Sequence, residues 1–150
     1  MATTTDVGTH AETIKMDIDQ IAHNLINHLG PTLVALLANV KDRKLPYRWA
    51  RREGRPTAES TRRLIAAHRA WLQVSAADSD HVARLWFVGE NPLLDEVSPI
   101  EALREGRITD VLRASQDWTS SAWATGAADD GAGAAEKDAR KVKTKQDQAL

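Results

Sequence analysis

Lys44, Tyr47, Arg48, Arg51 and Arg55 are the residues of this chain whose types and spacing most directly suggest chemistry. At about 100° per residue, a helix through this stretch turns Leu45 and Trp49 to one side and Tyr47 and Arg51 to the other. Lys44 then lies beside Arg51, and Arg48 lies on the flank. Such a face suits DNA. Cationic groups neutralise phosphates, and a guanidinium can also pair with the acceptor edge of guanine. The competing reading is a solvated face that happens to be basic; the concentration of charge on one short element favours DNA contact. Arg52 falls on the inward side of the same wheel, which predicts a place at the core edge.

The rest of the charge is arranged with equal asymmetry. Net charge is only −1, yet residues 41–63 hold nine Lys or Arg against three acids, and residues 78–117 hold nine acids against four Arg. A basic block followed by an acidic one points to two surfaces for two different partners. The acids are spread over helix faces and loops, a pattern of solubility rather than of acid/base catalysis. Facing a basic cleft on another protein is their alternative use. Five of the seven aromatics are Trp, and these large apolar groups are natural anchors for a small helical fold. Trp118 is expected to close the core on the last helix. Trp123 stands among polar residues, where a Trp serves as an interface anchor, so residues 118–126 are expected to extend a partner-binding surface.

Other chemistries find no support. His23 and His28 are off a common helical face and lack a carboxylate at ligand spacing, and His68 sits on an apolar stripe as a core histidine. His10 falls in a polar start and His81 near a helix N-terminus. With no Cys, neither a disulfide framework nor a thiolate metal site is available. There is no glycine-rich phosphate loop, no Gly-x-Ser-x-Gly elbow and no His-Glu-x-x-His. The reading is a non-enzyme without metal or cofactor. No signal-peptide-like run opens the chain and no run of eighteen apolar residues occurs, so a soluble, cytoplasmic protein without membrane contact is expected.

The elements that must position these residues are helices. Apolar residues make up 42% of the chain, enough for a core of ordinary size. Ile14, Ile18, Ile21, Ala22, Leu25, Ile26 and Leu29 recur at helical steps until Gly30 ends the run. Pro31 opens a second helix with Leu33, Leu36, Leu37 and Val40 as its stripe. A four-residue turn, Lys41 to Lys44, leads to a short helix from Leu45 to Arg52, and Gly54 and Pro56 break the chain. Thr57 caps a long helix whose inner face reads Leu64, Ile65, His68, Trp71 and Leu72. The next helix carries Val82, Leu85 and Trp86 and is closed by Gly89. Ser98-Pro99-Ile100-Glu101 predicts a capping box with Pro at the first helical position, and Gly106 a left-handed residue past that helix's end. Ile108, Val111 and Leu112 line a last helix ending near Trp118. No alternating run of strand type occurs. The expected fold is all-α: disordered residues 1–12, a helix-turn-helix domain over 13–76, a small helical domain over 77–123, and a disordered tail over 124–150.

These residues also carry a resemblance. Leu29-Gly30, then Leu45-Pro46-Tyr47-Arg48-Trp49-Ala50-Arg51, Pro56 and Arg63-Leu64-Ile65-Ala66-Ala67-His68 resemble the helix-turn-helix of the Xre/MbcA/ParS antitoxins. The stretch from Leu85 to Leu94, followed by Ser98 to Arg107, Val111 and Leu112, is similar to that family's toxin-binding domain. That pattern is a Trp, an Asn-Pro-x-Leu turn, a Pro-opened helix with a Leu, then Gly and a closing helix with a Val. The resemblance implies an antitoxin that binds a RES-domain, NAD-consuming toxin and represses its own promoter. It implies Trp86, Asn91, Pro92, Leu94, Pro99, Leu103 and Gly106 as motif positions, mostly building the domain. Trp86, Asn91, Pro92 and Leu94 join Trp118 and Trp123 as candidate partner contacts. The alternative is a stand-alone helix-turn-helix regulator of the phage-repressor kind, and a third reading is a structural or assembly protein. DNA binding would favour a homodimer, with the helix of residues 14–29 as a candidate pairing surface.

Overall fold

In the computed structural model, backbone is described for residues 16–128 and side chains for residues 16–121. The expectations for residues 1–12, for Ile14 and for most of the tail lie outside these residues. The described chain is all-α. Seven helices follow one another: α1 (Ile18–Leu29), α2 (Pro31–Leu37), α3 (Lys44–Ala50), α4 (Ala58–Ala77), α5 (Asp80–Val88), α6 (Pro99–Arg104) and α7 (Ile108–Ala128). A 3₁₀ turn, Pro92–Leu94, lies between α5 and α6. Among the described residues there is no strand; a single backbone bridge pairs Asn91 with Val97.

One continuous core serves every helix. Ile21, Ala22, Leu25 and Leu29 of α1 meet Val34 and Leu37 of α2, Trp49 of α3, and Leu64, Ala67, Trp71 and Val74 of α4. The same cluster runs on through Phe87, Leu94, Ile100, Leu103 and Val111. The long α4 and α7 make the most extensive helix pair, so α4 is a shared wall between the two halves of the chain. Polar staples reinforce that wall. The Arg63 Nε–H donates to the Leu103 carbonyl at 2.8 Å, joining α4 to α6, and Arg84 Nε donates to the His28 carbonyl at 3.1 Å, joining α5 to the end of α1. The buried Ser60 hydroxyl donates to the Ala38 carbonyl at 2.8 Å and satisfies an acceptor that the end of α2 leaves open.

Local signals mostly hold. The Thr57 side chain accepts from Ser60 N–H, and Gly106 sits at φ 86 past α6. Ser98 caps α6 by accepting from Glu101 N–H, but the capping box is one-sided: the Glu101 carboxylate takes Arg104 at 2.6 Å instead of reaching back. Four expectations are corrected. The connection between α2 and α3 is six residues, 38–43, because Asn39 at φ 63 ends α2 early. The short helix runs Lys44–Ala50, with buried Pro46 within its first turn, where a missing N–H costs nothing. Leu72 and Leu85 are 52% and 54% exposed, because the buried stripes pass through Ala70, Trp71 and Val74, and through Ala83, Trp86 and Phe87. The last helix passes Trp118, where its end was expected, and continues to Ala128.

Candidate functional site

Two surfaces collect the residues singled out by type and spacing. The first surrounds α3. Buried Trp49 and partly buried Leu45 anchor the helix against the core, and this leaves Lys44, Tyr47 and Arg48 exposed on the other side. Asp42 fixes the helix start by accepting from Lys44 N–H at 2.9 Å. Arg51 and Arg55 are exposed as well, but both lie beyond the last helical residue. The charges are not equally available. Arg51 Nε and Nη2 each reach a Glu53 carboxylate oxygen at 3.2 Å. That hydrogen bond, and then the guanidinium charge, hold the Glu53 carboxyl below the usual carboxylate range. Among the described residues no ion pair engages Lys44, Arg48 or Arg55.

Arg52 corrects the wheel. The helix ends before it, its φ is 62, and its side chain is 71% exposed rather than at the core edge. It bridges to Asp19 at 3.1 Å and Asp17 at 3.4 Å at the start of α1. With Arg55, Trp49, Ile18 and Gly54 these groups line a small polar depression. Arg52 and the two carboxylates already face one another, and with Arg55 the lining sets two cations against two acids, which leaves little net charge for a ligand.

The second surface is a groove of about 620 Å³ between α5, the loop that follows it, and α7. It brings Trp118 together with Trp86, Asn91 and Pro92, which precede it by more than twenty positions. Leu85 and Leu93 form apolar walls at 54% and 55% exposure, with Val82, Gly89, Ala114 and Ser121 completing the lining. Glu90 and Asp117 are its charged residues. Trp86 is set by the core behind it: its ring meets Phe87 edge-on at 5.0 Å, and Phe87 leads on to Trp71 and to His28, stacked on Trp71 at 4.3 Å. The indole N–H groups of Trp86 and Trp118 are both covered and have no acceptor. An unsatisfied buried donor of this kind costs about 1–3 kcal/mol.

The groove's shape depends on the loop from Asn91 to Val97. Asn91 Oδ1 accepts from Leu93 N–H at 2.9 Å, and Asp95 and Glu96 take consecutive left-handed conformations at φ 60 and 70. Arg107 clamps the turn, donating to the Leu94 carbonyl at 3.2 Å and to Asp95 at 3.1 Å while its Nε holds Asp110. These carboxylates keep the Arg107 guanidinium protonated even more firmly than usual, the Asp110 hydrogen bond foremost.

The structure therefore sorts the candidates. Trp86, Pro92 and Trp118 face the groove as a set, and Asn91 lines it while spending its carbonyl oxygen on the turn. Leu94 is fully buried and is corrected from a partner contact to a core residue: the 3₁₀ turn aims it inward and its neighbour Leu93 outward. Trp123 lies within α7, but its side chain is outside the described residues. Reasoning from sequence missed Leu85, Leu93, Glu90 and Asp117. A helical wheel placing Ala83, Trp86 and Phe87 inside would have turned Leu85 outward; nothing local marks Leu93 or Asp117, which reach the groove by tertiary packing. Among the described residues no cluster of His, Asp or Glu is arranged to hold a metal ion, and no helix is long and apolar enough to cross a membrane. No protein-family model, curated protein or solved structure matches the chain.

Proposed function

We propose that this chain is an antitoxin: a non-enzymatic protein that occupies a toxin through the Trp86–Trp118 groove and holds promoter DNA through the exposed side of α3. The toxin class follows from the resemblance and is a RES-domain enzyme that consumes NAD. One observation carries the reading. Apolar groups separated by more than thirty positions in sequence, from Leu85 to Trp118, converge on one exposed groove. A monomeric protein seldom leaves such side chains grouped on its surface unless another protein covers them. Trp at the centre of such a patch is the residue type that contributes most when it is covered.

The test is co-expression with a RES-domain toxin encoded in the neighbouring reading frame, following growth and cellular NAD. Full-length protein should preserve both, and Leu93→Asp should lose that protection while remaining folded by circular dichroism. Arrested growth and depleted NAD despite co-expression would overturn the reading.

A second reading, a helix-turn-helix regulator acting without a toxin, is favoured by the cations Lys44, Arg48 and Arg55, which no ion pair engages among the described residues. Sequence-selective, salt-dependent operator binding by the chain alone, with no effect on any toxin, would select it. Two-fold pairing of the chain on DNA belongs to both readings.

A further inference from the structure

We propose that the Trp86–Trp118 groove takes a cationic, amphipathic segment of the partner protein, with leucine-like side chains against its floor and Lys or Arg toward Glu90 and Asp117. This rests on the groove being the docking face and adds the chemistry of what docks. Among the described residues the lining holds no Lys or Arg, and its two charged residues are both carboxylates. Glu90 follows the C-terminus of α5, and Asp117 stands on α7, so the occupant meets negative charge from two different walls. Both are exposed and, among the described residues, neither has an ion pair. The carbonyl end of the nine-residue α5 adds to the negative potential beside Glu90. A shallow continuation over Leu93 and Ala114 reaches Asp110 and Arg113, and the one cation there already lies 4.0 Å from Asp110.

The apolar walls and the covered indole groups define the rest of the occupant. Leu85 and Leu93 call for aliphatic side chains, and the two unsatisfied N–H donors offer a bond to a backbone carbonyl once a ring turns toward it. Other occupants fit less well. Nucleic acid or an acidic peptide would set like charges against Glu90 and Asp117. A second copy joined symmetrically at this face would oppose the same carboxylates to themselves. The chain's own residues 137–145 are rich in Lys and Arg but offer only Val142 as a large aliphatic group.

The experiment is calorimetric titration of the full-length protein with a fourteen-residue Leu/Lys amphipathic peptide and with a Leu/Glu peptide of the same pattern. The Leu/Lys peptide should bind at least about tenfold more tightly at low salt, and the preference should shrink as salt screens it. Reversing Glu90→Lys with Asp117→Lys should weaken Leu/Lys binding about tenfold, whereas Glu59→Lys, on the first turn of α4 and outside the groove's lining, should leave it unchanged. Trp118→Phe, which keeps most of the ring but removes the donor, should weaken it about threefold. Equal affinity for the two peptides, or a double reversal without effect, would overturn the proposal. So would a marked gain in affinity on Lys141→Glu, Lys143→Glu, Lys145→Glu, which would make the chain's own tail the occupant. If the peptide binds as stated while co-expression fails to protect, the antitoxin reading falls and the groove chemistry stands. If protection survives the double reversal and no peptide binds, the converse holds.

Discussion

Around α3 the molecule keeps its aliphatic and indole groups inside and exposes its charges beside the Tyr47 ring; around α5 and α7 it leaves a set of apolar groups at the surface. Near α3, Trp49 is buried to 3% exposure, and two of the most prominent arginines are spent within the protein, Arg51 on Glu53 and Arg52 on Asp17 and Asp19. At the groove, Leu85 and Leu93 stand about half exposed with Trp118 between α7 and the loop. The two surfaces differ in how strongly they imply a partner. Exposed charge is favourably solvated and asks for nothing further, whereas grouped exposed leucines forgo burial worth about 25 cal/mol per Å². The groove is thus the more demanding of the two, and α3 supplies a cationic surface whose reach is trimmed by its own acids.

Adjacent residues test this contrast most severely. Leu94→Ala should destabilise the protein by about 2–5 kcal/mol, because Leu94 is fully buried in the shared core. Leu93→Ala, on the exposed wall, should stay within about 0.5 kcal/mol in the same urea titration. Similar losses for both would mean that the groove is part of the fold rather than a surface.

Gly106→Ala should cost about 1–2 kcal/mol, since the residue sits at φ 86 and a Cβ there would lie 3.3 Å from Arg63 Nη2. Thermal unfolding reads this directly, and a neutral result would show that the joint between α4 and α6 can relax.

On the surface proposed to hold DNA, Lys44→Ala and Arg48→Ala should each reduce the slope of log affinity against log salt by about 1. Arg51→Ala should change it less, because Glu53 already holds that guanidinium. An Arg51 effect equal to the other two would show that DNA displaces Glu53.

The smallest effect concerns the core behind both surfaces. His68 is buried, and its Nε2 accepts from Asn24 Nδ2 at 3.5 Å, which suits a neutral ring. Burial first, and the neighbouring His28 second, push its pKa below the ordinary 6.5. The unfolded chain therefore binds a proton more readily than the folded one. Stability from this group is complete above the unfolded value and is lost as pH falls through the depressed folded one. His68→Gln should flatten the pH dependence of the melting temperature below neutrality; an unchanged slope would assign it to other groups.

What the residues by themselves determined is local. Gly30, Thr57, Ser98 and Gly106 mark helix ends because a cap hydroxyl or a left-handed glycine acts within a few residues, and the inward turn of Trp49 and outward turn of Tyr47 follow from helical period alone. Tertiary packing decided the rest. It chose between Leu93 and Leu94, which no periodicity separates in a three-residue turn, and it turned Leu72 and Leu85 to the surface because α4 and α5 bury their small Ala stripes against neighbours. It also gathered Trp86, Pro92 and Trp118 into one groove. Helix boundaries are set by short-range hydrogen bonds that the sequence spells out, but a groove exists only where separate helices leave a gap, and gap and lining are properties of the packed whole.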